Sequence, residues 1–219
     1  MERKIQFIEN EYYHLYNRGV DKRTIFSSRN DYRRFLMLLY LANSEEDVRI
    51  GNMLKSTKYE NIFSRDRGEP IVAIGAFCLM PNHFHILATP LKENGITKMM
   101  LKLQTGYSMY FNTKNERTGS LFQGPFRSSH ADNDRYLEYL FSYIHLNPAK
   151  LREPQWKEKI RSENDLMHFV GAYPYSSYGS YLTNSHFITN PTKFPEYFSS
   201  KNEVVSHITD WLANSDEDE

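Results

Sequence analysis

Two histidines separated by a single residue are the clearest chemical signal in the sequence. His83 and His85 lie in the stretch MPNHFHIL, where a proline-asparagine pair separates two apolar runs and predicts a β-hairpin over 71–90. Alternate side chains of a strand share one face, so both imidazoles point the same way and Phe84 points to the other side. Two imidazoles on one face supply half of a divalent-metal site, although an isolated pair of this kind also arises by chance.

A tyrosine and an asparagine further along the chain could complete such a site. Residues 134–147 predict a helix that ends before a proline, and Tyr143 and Asn147 lie one helical turn apart on it. A phenol and an amide oxygen could therefore approach the same metal. Because the residue before a proline is biased away from helical geometry, we expect the amide to be presented from a frayed last turn. Tyr136 and Tyr139 lie on nearly the same side of the helix, so spacing alone does not choose the nucleophile, whereas the asparagine favours Tyr143.

Together these groups suit the cleavage and rejoining of a phosphodiester. A bound metal withdraws charge from a phosphate oxygen, and the phenol oxygen attacks phosphorus and becomes covalently attached. A phosphotyrosine bond conserves the energy of the phosphodiester, so the strand can later be rejoined without ATP.

The other histidines show no comparable spacing and are expected to be structural or exposed. His145 is two residues from Tyr143, about 200° around a helix, so it faces away from the phenol and is expected to pack. The remaining ones are His14, His130, His168, His186 and His207. We therefore expect no third histidine beside the pair.

Length and composition suit one domain, or one domain with an appendage. The chain has 219 residues, of which 40 % are hydrophobic and 15 % aromatic. No apolar run approaches the ~20 residues needed to span a bilayer, and the charged N-terminus lacks a signal-peptide pattern. The single cysteine, Cys78, lies in an apolar run and is expected to be buried and inert. These features predict a cytoplasmic protein with no membrane partner.

The formal net charge of zero hides an uneven distribution. Residues 199–219 carry a net charge of −5, so the remainder of the chain carries +5. A modestly basic body suits a polyanion partner. Candidates for phosphate contacts are Arg18, Lys22, Arg23 and Arg127, with ordinary solvated charge as the alternative for each.

The order of the predicted elements is β-α-β-β-α-β-α. The first six match the split βαβ, or ferredoxin-like, arrangement, an α+β fold with an antiparallel sheet and two helices on one face. The predicted ranges are a strand at 12–18, a helix at 31–43 capped by Asn30 and Asp31, the hairpin at 71–90, a helix at 96–115, a strand at 119–131 and the third helix at 134–147.

The domain organisation predicted from these elements has two parts. Residues 1–185 form the catalytic domain, with 44–70 as a surface insertion that carries a short helix around Met53 and with 172–182 draped over the body. Residues 186–219 form an accessory helical segment that ends in an acidic tail.

Several stretches of the sequence together resemble one known family. The stretch LMPNHFHIL resembles the signature of the HUH endonucleases, and the whole pattern is similar to the REP-associated tyrosine transposases, relatives of the smallest insertion-sequence transposases. The matching stretches are YHLYNRGVDKRTIF at 13–26, MPNHFHIL at 80–87, GSLFQGPFRSS at 119–129, YLEYLFSYIHLNPAKL at 136–151 and YPYSSYGSYL at 173–182.

The resemblance implies a fold, a reaction and a set of site residues. His83 and His85 would bind the metal, Mg²⁺ or Mn²⁺, with Asn147 in place of a glutamine found in the insertion-sequence relatives, and Tyr143 would be the nucleophile. The fold would be ferredoxin-like. The partner would be single-stranded DNA beside imperfect, REP-like hairpins, cut to leave a 5′-phosphotyrosine and a free 3′-hydroxyl. A homodimer is left open.

Two other functions stay open alongside this one. A replication or plasmid-transfer initiator would use the same chemistry, with a three-histidine cluster or a second tyrosine and larger partner domains. A non-catalytic RNA- or single-stranded-DNA-binding module would need exposed aromatic residues on its central strands.

Overall fold

The computed structural model describes residues 6–46, 59–158, 160–198 and 200–213. Its strands are β1 (Tyr12–Arg18), β2 (Val72–Met80), β3 (His83–Pro90) and β4 (Arg127–Ala131). Its α-helices are α1 (Arg29–Ala42), α2 (Gly95–Lys114), α3 (Asp134–Leu146), α4 (Ala149–Arg152), α5 (Glu163–Ala172), α6 (Tyr178–Thr183) and α7 (Lys201–Ala213). Short 3-10 helices occupy Val20–Lys22, Tyr59–Asn61, Pro191–Lys193 and Glu196–Phe198. None of the described helices is long and apolar enough to cross a membrane.

The described strands form one antiparallel sheet in the order β2-β3-β1-β4. Together with the element order, this arrangement confirms the predicted split βαβ topology. The central pair is β3 and β1, in a register that sets Tyr16 opposite His85 and Arg18 opposite His83. The candidate metal ligands therefore lie in an interior strand, whose backbone is held on both sides.

Helices α1 and α2 pack against each other on one face of the sheet. Alternate strand residues, among them Leu15 of β1 and Phe84 and Ile86 of β3, enter this core. Helix α1 starts with Ser28 as the N-cap in a capping box with Asp31, not with the expected Asn30-Asp31 cap. The serine is preferred because its hydroxyl and the aspartate three residues later satisfy each other's backbone N–H groups.

Helix α3 covers the other face of the sheet, together with the C-terminal segment. Cys78 and Leu87 point to this side and pack in one core with Phe141 of α3. Phe198 stacks on Phe141 with ring centroids 3.8 Å apart, and Leu212 of α7 joins the same core. Residues from both sides of position 185 thus share one core, and the domain boundary placed there stays a prediction.

The outer edge of β2 is covered by the segment predicted to drape over the body. Leu79 N–H donates to Tyr175 O at 2.9 Å, and Ser177 N–H donates to Phe77 O at 2.9 Å. This pairing satisfies backbone groups that an open sheet edge would leave for another chain.

One other predicted element differs in the structure, and a second lies where the structure describes no residues. Strand β4 begins at Arg127, not at residue 119, because Gly119 and Gly124 adopt φ values of 83° and 103° that interrupt an extended run. The short helix expected around Met53 lies outside the described residues. Residues 59–70 of the predicted insertion contain one 3-10 turn.

Candidate active site

Strand β3 presents the two histidines on the face covered by α3. Their ring centroids lie 5.0 Å apart with the planes at 87°. His85 is buried, and its Nε2 atom has no hydrogen-bond partner among the described residues. Phe84 points into the opposite core, as the strand alternation predicted. The strand therefore separates two potential ligands from a core residue by side-chain alternation alone.

The ring of His83 is held by a neighbouring amide. Its Nδ1 lies 2.6 Å from Oδ1 of Asn82. The Nδ2 group of Asn82 donates to the backbone carbonyl of Lys22 at 3.1 Å. Because Nδ2 faces that carbonyl, the orientation of the amide is fixed and its Oδ1 faces His83. Oδ1 therefore accepts a hydrogen bond from Nδ1–H of His83, and the Nε2 of His83 keeps its lone pair. This is the tautomer that a metal ligand needs.

A third histidine lies beside the pair, so the expectation that none would do so is wrong. His14 of β1 is buried, and its Nε2 is 2.8 Å from Nδ1 of His85. The sequence did not reveal it because its partner is 71 residues away along the chain, on the neighbouring strand β3. Alternation in YYHLYNR could have placed it on the same face as Tyr16 and Arg18. Within the described part of the chain no three His, Cys, Asp or Glu side chains form a group that could hold a metal.

Helix α3 brings Tyr143 against the histidines. Its ring lies 5.4 Å from that of His85 at 80°, and 6.1 Å from that of His14 at 77°. Asn147 has helical dihedrals, φ −51° and ψ −39°, so the expected departure from helical geometry is wrong. The next residue, Pro148, also has helical dihedrals, φ −61° and ψ −22°, and leads directly into α4, so the backbone stays helical through the proline.

The Asn147 side chain is anchored beside His83, where burial lowers the pKa of the histidine and the Asn147 amide raises it by a smaller amount. Nδ2 donates to the carbonyl of Tyr143 at 2.9 Å, the amide is 2 % exposed, and Oδ1 has no hydrogen-bond partner among the described residues. A buried carbonyl oxygen without a donor costs free energy that a bound cation would recover. The amide is therefore preorganised as an oxygen ligand.

The rival tyrosines stack behind Tyr143, further from the histidines. The ring of Tyr139 lies 5.7 Å from that of Tyr143, and the ring of Tyr136 lies 5.9 Å from that of Tyr139. Tyr139 also packs edge-on against Trp211 of α7. Of the three, Tyr143 is the one whose ring contacts His85.

Burial keeps the histidines neutral. It lowers the pKa of His14 to about 4, and burial with the charges of Arg18 and Lys150 lowers that of His83 to about 4. Burial also holds the pKa of His85 well below its ordinary value. Neutral imidazoles are the form that can bind a metal.

Burial also keeps the phenol protonated. It raises the pKa of Tyr143 above 10, and the nearby Asn147 amide offsets only part of this rise. Tyr143 therefore needs assistance to act as a nucleophile.

The site opens into a cavity of about 360 Å³ lined by His83, His85 and Tyr143 and by three cations, Arg18, Arg127 and Lys150. The structure thus brings Arg18 and Arg127, two of the four residues predicted to contact DNA, to the site. Lys150 lies in the stretch YLEYLFSYIHLNPAKL but was not singled out, because no spacing connects a lysine with the histidine pair. Its Nζ lies 5.6 Å from the Tyr143 ring centroid. Three cations around one cavity favour an anionic ligand such as a phosphate.

The other two predicted DNA contacts lie beside the site, on the turn after β1. The Lys22 side chain is exposed, and its backbone carbonyl anchors Asn82. The Arg23 guanidinium donates to Val20 O at 3.2 Å and lies 3.8 Å from Asp21. Their DNA contacts stay predictions.

The donor set fits a divalent cation. Two neutral imidazole nitrogens and an amide oxygen are available, of which His85 Nε2 and Asn147 Oδ1 are buried and without partners among the described residues. Imidazole with amide and water oxygen suits Mn²⁺, and Mg²⁺ where water and phosphate complete the shell. All three donors are uncharged, so the negative charge that balances the cation would come from the substrate phosphate.

The fold and the site define a class: a split βαβ sheet whose central strand sets a histidine pair against a helical tyrosine. The chain matches the family model described as "Transposase IS200 like" over residues 8–147, and it therefore belongs to the IS200-like transposase family. Membership in this family implies a DNA strand transferase. The matched range includes the histidine pair, the tyrosine and the asparagine, and it ends before Lys150.

One solved structure extends the comparison to the fold. It is described as a REP-associated tyrosine transposase bound to a REP hairpin, and the likeness has a TM-score of 0.51 at 13 % sequence identity, covering 89 % of this chain and 91 % of that one. At this identity the likeness concerns the fold alone. A search of curated proteins found no match.

Proposed function

We propose that this transposase cuts and rejoins single-stranded DNA beside hairpins through a 5′-phosphotyrosine at Tyr143, with Mg²⁺ or Mn²⁺ held by His83, His85 and Asn147. The observation that carries the proposal is the contact between the Tyr143 and His85 rings, 5.4 Å apart, beside two buried acceptor atoms that lack partners in the described chain. The hairpin substrate is supported by the solved structure of similar fold, which holds a REP hairpin.

The chain's residues divide the reaction between them. When bound, the metal supplies positive charge that polarises a phosphate oxygen. The Tyr143 oxygen attacks phosphorus and loses its proton to solvent, while the bond from phosphorus to the 3′ oxygen breaks and that oxygen leaves as a hydroxyl after taking up a proton. Rejoining is the reverse: a 3′-hydroxyl attacks the phosphotyrosine, restores a phosphodiester and releases the phenol.

The cations of the cavity assist the phenol and the phosphate. The Lys150 ammonium lies near the Tyr143 ring and favours negative charge on the attacking oxygen. Arg18 and Arg127 line the same cavity, and we expect them to bind the flanking phosphates. Because the phenol is half-buried, these charges act on it more strongly than they would in water.

The test is covalent adduct formation by the full chain. Labelled single-stranded oligonucleotides carrying hairpins from the flanks of the gene are incubated with Mg²⁺ or Mn²⁺ and resolved on a denaturing gel. We expect a slower-migrating protein–DNA band that carries label on the 5′-phosphate side of the cut, and no band with fully duplex DNA or with a chelator. Cleavage without a covalent band, or a band that persists in chelator, would contradict the proposal.

A further inference from the structure

His14 is a buried histidine to which the proposed reaction assigns no role. It lies in β1, and its ring stacks against that of His85 with centroids 5.0 Å apart and the planes at 24°. The Nε2 of His14 is 2.8 Å from the Nδ1 of His85. Two imidazole nitrogens at this separation share one proton, so one atom donates and the other accepts. The direction of this hydrogen bond decides which nitrogen of His85 keeps a free lone pair.

The neighbouring ligand shows which direction a metal site needs. The Nδ1 of His83 is bonded to an acceptor, Asn82 Oδ1, so that its Nε2 is left as the free acceptor. The Nε2 of His85 is likewise buried and without a partner among the described residues. An Nε2–H there would be an unpaired buried donor, whereas an unprotonated Nε2 could bind a cation.

We propose that His14 is a positioning residue: its Nε2 accepts a hydrogen bond from Nδ1–H of His85 and so holds the Nε2 lone pair of His85 toward the metal site. The inference rests on the proposed function for its metal, and it gives each ligand histidine its own acceptor on the far side of the ring. Such outer partners fix tautomer and orientation, and their loss weakens metal affinity about 10- to 100-fold.

Two variants separate the hydrogen bond from the packing. His14→Phe keeps a flat ring in the stack and removes the acceptor, whereas His14→Gln puts an acceptor oxygen close to the position of Nε2. The matched control is His130→Phe in the adjacent strand β4, where the histidine pairs with Glu11 at 2.7 Å and stacks on Tyr13 on the other face of the sheet.

The readouts are the side-chain tautomer of His85, by long-range ¹H–¹⁵N NMR of the metal-free full chain, and Mn²⁺ affinity by electron paramagnetic resonance. In wild type we expect His85 protonated at Nδ1. In His14→Phe we expect loss of that single tautomer and about 10- to 100-fold weaker Mn²⁺ binding. His14→Gln should bind within a few-fold of wild type, and His130→Phe should match wild type.

Protonation of wild-type His85 at Nε2, or unchanged Mn²⁺ affinity in a folded His14→Phe protein, would overturn the inference. If His14→Phe fails to fold, His14→Gln is compared with His14→Asn, whose shorter side chain withdraws the acceptor; equal Mn²⁺ affinities would also overturn it. A wild-type chain that binds no Mn²⁺ would refute the metal site of the proposed function, and the tautomer of metal-free His85 would still decide the role of His14.

Discussion

The two faces of the sheet are built from the same strands, but each carries a buried polar group whose hydrogen bonding differs from that of the other. On the face covered by α1 and α2, the buried carboxylate of Asp31 accepts hydrogen bonds from Tyr110, Lys114 and Ser28. On the face covered by α3, the buried atoms His85 Nε2 and Asn147 Oδ1 have no partner in the described chain. The Asp31 carboxylate is satisfied without a ligand, whereas a ligand would satisfy the two atoms of the site. Other buried atoms without partners occur on both sides among the described residues, for example Gln104 Nε2 of α2 and Ser142 Oγ of α3, so the contrast concerns these two groups and not the whole faces.

The contrast is sharpest within β3, where side-chain alternation sends neighbours into different environments. Phe84 is fully buried against Phe35 and Phe122, with ring centroids 5.0 Å and 5.9 Å away. His83 and His85 point to the face covered by α3. A residue's contribution to stability and its contribution to chemistry can therefore be separated by moving one position along the strand.

The largest effect is expected from Tyr143→Phe, which removes the phenol oxygen from the site and preserves the packing of the ring. The variant should fold and bind the DNA hairpin, but the covalent adduct should fall below detection because no nucleophile remains. Denaturing electrophoresis with substrate labelled on the 5′-phosphate side measures this.

Tyr139→Phe is the matched control, one helical turn earlier in the same stack, and should keep its adduct. Peptide mapping of the wild-type adduct to Tyr136 or Tyr139 would show that the wrong tyrosine was chosen.

The second prediction compares neighbours in β3. Phe84→Ala should lower the free energy of unfolding by about 3–5 kcal/mol, because it opens a cavity in a packed core. His83→Ala should lower it by only about 1 kcal/mol, the worth of one hydrogen bond, yet abolish metal-dependent cleavage. Urea unfolding with the cleavage assay measures both. Equal losses of stability in the two variants would mean that His83 contributes to the folded core as much as Phe84 does.

Much of this division could be predicted from the sequence. The alternation in HFH assigned Phe84 to the core and the histidines to one face, and the i, i+4 spacing assigned Tyr143 and Asn147 to one side of a helix. Both signals are local, and local periodicity is what a single sequence carries. The split βαβ topology also followed, because element order limits the ways in which strands can pair.

What could not be predicted depends on strand register and on turn geometry. His14 meets His85 only because β1 pairs with β3 in one register, and no local pattern states that register. The Lys22 carbonyl reaches Asn82 from a turn in which Lys22 has φ 57°, a conformation uncommon for lysine. Lys150 reaches the site because the chain stays helical through Pro148, against the usual bias before proline.

The third prediction concerns the buried carboxylate of Asp31, on the side of α1 and α2, and how the stability of the fold depends on pH. Burial alone would raise the pKa of Asp31, but hydrogen bonds from Lys114, Tyr110 and Ser28 outweigh it and hold the pKa below the ordinary value. A lowered pKa means that the ion stabilises the fold fully above the unfolded pKa, about 4, and that this stabilisation is lost as pH falls through the folded pKa.

Asp31→Asn should therefore cost about 2 kcal/mol at pH 7, with the difference from wild type shrinking below pH 4. Urea unfolding at several pH values measures this, and the buried histidines cancel because both proteins contain them. Asp132→Asn, at an exposed position, is the control and should match wild type throughout. A difference that does not change with pH would show that the charge of Asp31 is not what stabilises the fold.

The fourth prediction asks whether the free amide oxygen binds a cation. Asn147→Ala should weaken Mn²⁺ binding about 10-fold, less than loss of either histidine, since a neutral amide is a weaker ligand than imidazole. It removes a buried oxygen without a partner but also the hydrogen bond from Nδ2 to the Tyr143 carbonyl. Because the two effects oppose each other, stability in the absence of metal should change by no more than about 1 kcal/mol. Calorimetric titration with Mn²⁺, with and without the substitution, measures the change. Wild-type affinity in the variant would mean that the third ligand is another group.

The smallest effects are expected at the cations, and they test whether the cavity is distinct from its surroundings. Arg18 and Arg127 line the cavity, whereas Lys22 and Arg23 lie on the turn beside it. Each phosphate contact to a single strand contributes about −0.7 to the slope of log K against log salt. Arg18→Gln or Arg127→Gln should therefore lower the affinity for single strands a few-fold, reduce the size of the slope by about 0.7 and reduce the adduct yield.

Lys22→Gln or Arg23→Gln should weaken hairpin binding without changing the amount of adduct formed per bound DNA, because neither side chain lines the cavity that contains the tyrosine. Fluorescence anisotropy at several salt concentrations, with adduct yields at saturating DNA, separates the two pairs. If all four variants lower adduct yield equally at saturation, the cavity is not a separate phosphate site, and the basic residues act as one diffuse patch.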